Sequence, residues 1–283
     1  MSNNIHSLND YSQNSGSGIR SSLSSSNKDD RIFNSSIYKI RTVTFFIMII
    51  NISIYFFQLF LFYSIFEKKG NSWTCLAVTL GAFQGGKIKN NYQYHRFITS
   101  MFLHNSMTHL GSNSLSLFFL GFQVEHEINN KFYFFCLYFI SGLAGNFLSL
   151  LKNQENISLG ASGAIIGLCG NFVIYFLLNY RNMSERKKYS YGTMFAFLFI
   201  NLFSGLSEGG ENINMASHIG GFLGGLAFSI ILTLKLSKKY KINNNSFALK
   251  LYYGSIALLI ALPILTIVVV AIKKVPNIYV CKV

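Results

Sequence analysis

Charged residues are scarce in this chain, at 12% of 283 positions, where a soluble domain of this length carries about a quarter. That shortage excludes an ordinary soluble globular fold. Acidic residues are fewer still, 10 against 24 Lys and Arg. No pair of aspartates falls within an apolar segment, which excludes an intramembrane aspartyl mechanism. No His-Glu-x-x-His string occurs, and no obvious general-base carboxylate accompanies His104, His109 and His218, which weighs against a zinc site. The halves of the chain show no convincing duplication of the kind transporters often carry. No apolar stretch lies close enough to Met1 for a cleavable signal peptide, so the first span is expected to serve as the insertion signal.

Apolar residues supply 51% of the chain, and they come in long blocks rather than periodic faces. Runs of about 20 apolar residues match the hydrocarbon thickness of a bilayer. Seven such segments are expected, at 42–66, 101–123, 132–151, 162–180, 191–206, 217–236 and 248–272. Pro263 is expected to kink the last. The fold class is therefore an all-α polytopic membrane protein. Residues 1–41 are rich in Ser and Asn and contain no hydrophobic block, so they read as a disordered tail.

The formal charge of +14 invites a nucleic-acid reading, but its distribution points elsewhere. With seven spans and the N-terminus in the cytoplasm, most basic residues fall on the inner side, including those of 181–190 and 235–250. The outer segment 207–215 carries Glu208 and Glu211 and no base. This is the positive-inside pattern. Attraction to anionic lipid headgroups would be a by-product, and no nucleic-acid partner is expected.

This topology makes a second statement. Even-numbered spans run inward, so His104, His109 and Asn113, then Ser162, then His218 all lie near the outer face, in one layer. Ser162 stands in Gly160-Ala161-Ser162-Gly163, and His218 opens His218-Ile219-Gly220-Gly221. Taken singly, Ser162 reads equally as a helix N-cap or a small packing residue, and His218 as a packing histidine. Together, at one depth, they form a candidate nucleophile and base. His109 and Asn113 are four residues apart, on one helix face, where both could donate to an oxyanion or tie two helices together. His104 falls about 140° away on a helix and is assigned to bracing the outer loop. Glu67, Glu125, Glu127, Glu208 and Glu211 sit at span ends or in loops, so none is placed to orient His218, and a dyad rather than a triad is expected. Glycines at 163, 167, 170, 220, 221, 224 and 225 would let the fourth and sixth spans approach closely.

These strings resemble the rhomboid proteases: His104, His109 and Asn113, then Gly160-Ala161-Ser162-Gly163, then His218-Ile219-Gly220-Gly221 with Gly224-Gly225 following. The resemblance covers about 42–272. It implies a six-helix core at 42–247, a seventh transmembrane helix at 248–272 and a short tail at 273–283. It implies Ser162 as nucleophile and His218 as general base, with His109, Asn113 and the Ser162 backbone N–H lining an oxyanion hole. His104, Gly160, Gly163, Gly221 and Gly225 would support the site. No metal or other cofactor is implied. The family cleaves single-span membrane proteins in or near the transmembrane segment. One span after a six-helix core is similar to the eukaryotic secretory-pathway branch, in a multi-pass protein of a secretory, organelle or plasma membrane. Apicomplexan members process cell-surface adhesins. Two positions depart from the pattern: His95-Arg96 replaces a tryptophan–arginine pair in the first outer loop, and Ile166 replaces an aromatic one turn after the serine. Rival readings are an inactive relative that binds client helices, and a transporter using the polar layer. Cys136 and Cys169 read as packed thiols, while Cys75 and Cys281 share the outer side, where the sequence does not say whether they pair.

Overall fold

The computed structural model describes residues 42–152, 157–204, 214–236, 246–272 and 281, the side chains of 197–204 and 236 apart. The expected tail at 1–41 lies outside the described residues, as do 273–283 except Cys281. The described chain is helical, with a single two-residue antiparallel pairing, β1 (Phe83–Gln84) against β2 (Ile157–Ser158).

Five helices are long and apolar enough to cross a membrane: Val43–Phe66, Lys131–Lys152, Ser162–Asn182, Met215–Lys235 and Ser246–Ile272. They correspond to the first, third, fourth, sixth and seventh expected segments. The chain is an integral, multi-pass membrane protein. The second and fifth segments are helical but fall outside this set. The second is a run of α5 (Met107–Ser116), a π turn (Leu117–Gly121) and α6 (Phe122–Ile128). Its first half carries His109, Ser112, Asn113, Ser114 and Ser116, which dilute its hydropathy. The fifth, α9 (Glu185–Ser204), begins six residues earlier than the apolar block, through Glu185-Arg186-Lys187-Lys188.

In chain order, α1 is Val43–Leu61, continued by a π turn to Phe66. The segment after it holds α2 (Trp73–Thr79), α3 (Gly85–Asn90) and α4 (Arg96–Thr99). Then come α5 and α6, α7 (Lys131–Lys152), α8 (Ser162–Asn179), α9, α10 (Met215–Leu236) and α11 (Ser246–Ile272), which continues through Pro263. Helices α7, α8 and α10 pack on one another, and α11 lies against α7 and α10.

Glycine makes the α8–α10 contact possible. A Cβ on Gly221 would land on the carbonyl oxygen of Gly163, and one on Gly225 on that of Gly167. One on Gly170 would come within 2.5 Å of the Leu226 nitrogen. The two backbones therefore touch over two turns, with no room for a side chain between them.

Polar groups buried at the span ends find partners across the fold. Glu125 of α6 caps the start of α1: Val43 N–H donates to Oε1 at 2.9 Å, Thr44 N–H to Oε2 at 2.9 Å and Thr44 Oγ1 to Oε2 at 2.8 Å. A carboxylate at a helix N-terminus satisfies orphan amides and complements the dipole. In the segment after α1, Arg96 is buried and donates from Nη1 to the carbonyls of Val78 (2.8 Å) and Ala82 (2.7 Å). Its Nε and Nη2 both reach Gln93 Oε1, at 2.7 and 2.6 Å. Arg96 thus closes this segment on itself with His95 as its neighbour. Cys75 and Cys281 are joined by a disulfide across 206 residues of sequence, and Lys89 Nζ donates to the Ala271 carbonyl at the end of α11. The segment after α1 is therefore tied to the end of α11 by Lys89 and to Cys281, beyond that helix, by the disulfide.

Candidate functional site

Ser162 is the first residue of α8. The chain enters that helix through Gly160, whose φ of 127° suits glycine, and its N–H donates to the Ser100 carbonyl at 2.8 Å. The N-cap position falls on Ala161, which makes no side-chain capping bond. Ser162 is therefore not the cap that its residue type allowed. Its hydroxyl meets His218 instead: Ser162 Oγ and His218 Nε2 are 2.9 Å apart, although 56 residues separate them in sequence. His218 sits in the first turn of α10, its N–H bonded to the Asn214 carbonyl at 3.2 Å. Each of the two side chains thus stands at the start of its own helix, and the glycine contact between α8 and α10 sets how far apart they are.

His109 and Asn113 stand in successive turns of α5, whose start is capped by Ser106 Oγ accepting from His109 N–H at 3.1 Å. Both approach the chain just before Ser162. A Cβ on Gly160 would lie 2.8 Å from His109 Cε1 and Nε2, and 3.6 Å from Asn113 Nδ2. Any residue other than glycine at 160 would push into the imidazole. Asn113 is buried, and among the described residues its Nδ2 meets no hydrogen-bond partner. A buried amide donor without a partner costs roughly 1–3 kcal/mol. Such a group, close to Gly160 two residues before Ser162, is suited to receive an oxygen from outside the chain.

His104 departs from the helical spacing argument. It precedes α5, in the segment after the 3-10 turn Ser100–Phe102, so the 140° offset does not apply to it. Its buried ring lies edge to face with that of His109, with centroids 5.3 Å apart. Its backbone is held by Gln58 of α1, which donates from Nε2 to the His104 carbonyl at 3.3 Å and accepts from its N–H at 3.2 Å. His104 thus packs behind His109 and is anchored to α1. Ile166 is buried one turn after Ser162. Gly163, Gly221 and Gly225 are the seam already described.

Of the four described carboxylates, all but Glu67 are engaged elsewhere. Glu125 caps α1, Glu127 accepts from Gln123 and Tyr191, and Glu185 pairs with Lys188. None hydrogen-bonds His218. Glu208 and Glu211 lie outside the described residues. Among the described residues, no three His, Cys, Asp or Glu are grouped as metal ligands.

Comparison with known proteins falls on the same part of the chain. The family model for the Rhomboid domain matches residues 91–235, just over half of the sequence, and contains every residue of this site. Rhomboid protease AarA of Providencia stuartii is 30% identical over 220 residues, covering 68% of this chain and 73% of that protein.

The chain belongs to the rhomboid family.

Other relatives are RHOMBOID-like protein 2 of Arabidopsis thaliana, 35% identical over 55% of this chain and 48% of its own length, and Rhomboid-like protease 3 of Toxoplasma gondii, 30% identical over 49% and 51%. The chain spans about half or less of the length of three Arabidopsis rhomboid-like proteins that it matches.

Residue-type reasoning also passed over four residues around the site, of which Gln58 lies outside the matched 91–235. Gln58, Ser100, Asn146 and Asn214 each hold a segment that carries a site residue. Asn146 Nδ2 donates to the Phe97 carbonyl at 2.7 Å and to Ser100 Oγ at 3.2 Å. Asn214 had a local signal, a capping residue just before an apolar run. The others act on partners 46 or more residues away, where no local pattern reaches.

Proposed function

We propose that this chain is an intramembrane serine protease that hydrolyses peptide bonds in or near the membrane segment of single-span proteins. The observation that carries the reading is the 2.9 Å contact between Ser162 Oγ and His218 Nε2. It joins two polar side chains at the starts of two apolar helices, where a polar group is costly unless used. In this mechanism His218 Nε2 takes the hydroxyl proton as Ser162 Oγ attacks the substrate carbonyl. The oxyanion is stabilised by the Ser162 N–H, His109 and Asn113 Nδ2, the last being a buried donor with no other partner among the described residues. His218 then returns the proton to the leaving amine, and water, activated by the same imidazole, releases the acyl group.

The reading extends to topology. With the N-terminus in the cytoplasm, Cys75, Cys281 and the dyad lie toward the outer or lumenal face, and a disulfide suits that side. Residues 42–247 form the six-span core, 248–272 a seventh span, and 1–41 a cytoplasmic tail. The membrane is of the secretory pathway, an organelle or the cell surface, and surface adhesins are the proposed substrates. An inactive client-binding relative is the competing reading, and the paired serine and histidine weigh against it.

The test is co-expression with a tagged single-span adhesin-type substrate, comparing wild type, Ser162→Ala and His218→Ala. Cleavage by wild type alone is the expected result. Cleavage that survives Ser162→Ala would overturn the assignment of the nucleophile.

A further inference from the structure

The base of a dyad has no carboxylate to hold its ring, so its position must come from the backbone that carries it. In this chain that backbone is gripped by one side chain. Asn214 immediately precedes α10. Its Oδ1 accepts from the Ser217 N–H at 3.1 Å, and its own carbonyl accepts from the His218 N–H at 3.2 Å. The other end of the same amide, Nδ2, donates to Ser149 Oγ in the last turn of α7. Ser149 is fully buried.

Ser217, the residue next to the base, is wedged between two glycines. A Cβ on Gly163 would come within 2.8 Å of Ser217 Oγ, and one on Gly145 within 2.6 Å of the Ser217 carbonyl. The first turn of α10 is therefore fitted against both α7 and α8, leaving little freedom except fraying or rotation of that turn. Asn214 restrains both, because Oδ1 stops the turn from unwinding while Nδ2 ties it to α7.

We infer that Asn214 is a positioning residue for the proposed dyad, acting through the first turn of α10 to hold His218 on Ser162. This rests on the serine-hydrolase reading of the site. A cap lost to alanine loosens a first turn, and a displacement of about 1 Å at a reacting group costs on the order of 10²-fold in rate. Asn214→Ala is accordingly expected to slow Ser162 acylation at least about tenfold while leaving probe binding within about twofold. Asn214→Ser keeps a capping oxygen and is expected to restore most of the rate.

The experiment uses the full-length protein in detergent and a fluorophosphonate probe, separating the maximal acylation rate from the half-saturating concentration. Amide hydrogen exchange of 215–218 is followed in the same samples. Asn214→Ala is expected to slow acylation and speed exchange, with both recovered by Asn214→Ser. Ser149→Ala, which leaves the Oδ1 cap in place, is expected to slow acylation less, and it carries the test if Asn214→Ala does not fold. Wild-type acylation by Asn214→Ala or, in its absence, by Ser149→Ala would overturn the inference. So would an Asn214→Ser variant as slow as Asn214→Ala with normal exchange. A wild type that protects this turn yet never labels would sink the serine-hydrolase reading instead, and the exchange comparison alone would then decide the cap.

Discussion

Gly221→Ala is the smallest change that should separate the two halves of the site without touching either. The added methyl would fall on the Gly163 carbonyl oxygen, one residue from Ser162, whereas real Cβ atoms stay beyond 3.0 Å of such neighbours. Both atoms are backbone-fixed, so no rotamer change can relieve the clash. The helices must part by at least about 1 Å to bring the methyl out to that limit, which for a hydrogen-bonded nucleophile and base is worth on the order of 10²-fold in rate. The 2.9 Å Ser162–His218 contact would lengthen by a comparable amount. The assay is cleavage of a purified single-span substrate in proteoliposomes, with Gly254→Ala and Gly192→Ala as controls, since a Cβ at either of those positions meets nothing within 4 Å. Those controls should cleave at the wild-type rate. A Gly221→Ala enzyme with full activity and an unchanged melting temperature would refute the claim that this seam sets the dyad distance.

Three further outcomes are expected. Asn113→Ala should lower the cleavage rate by about 10²-fold with little change in substrate affinity, as for loss of one oxyanion donor, read from kcat and KM. Glu125→Gln replaces a carboxylate that accepts three hydrogen bonds by an amide with one acceptor oxygen. It should destabilise the fold by about 1–3 kcal/mol, seen as a lower Tm in detergent. Cys281→Ser should remove a Cys75-linked peptide from a non-reducing digest and lower Tm, since a bridge spanning 206 residues restrains the unfolded chain, by up to about 5 kcal/mol.

Which parts of this molecule could be read from its sequence follows from how far apart the partners lie. Spans one, three, four, six and seven are uniform apolar runs, and length with hydropathy finds them directly. The second is blurred because the polar residues that make the site sit in its first two turns. The fifth is blurred because a basic stretch joins its helix at the N-terminal end. Ser162 and His218 stood out through their glycine neighbours, but residue type left Ser162 equally able to cap a helix. Only the placement of Ala161 as N-cap and the contact with His218 distinguish the two. His104 was placed on a helix that begins three residues later, so its packing on His109 was out of reach. The Gln58–His104 brace and the Cys75–Cys281 bridge join segments whose proximity is a property of the whole fold.

The most direct test of the central claim is fluorophosphonate labelling of the purified protein, with the adduct located by peptide mass spectrometry. A single adduct on Ser162, lost in His218→Ala, is the expected result. Labelling of another residue, or a Ser162 adduct that forms equally well without His218, would contradict the account.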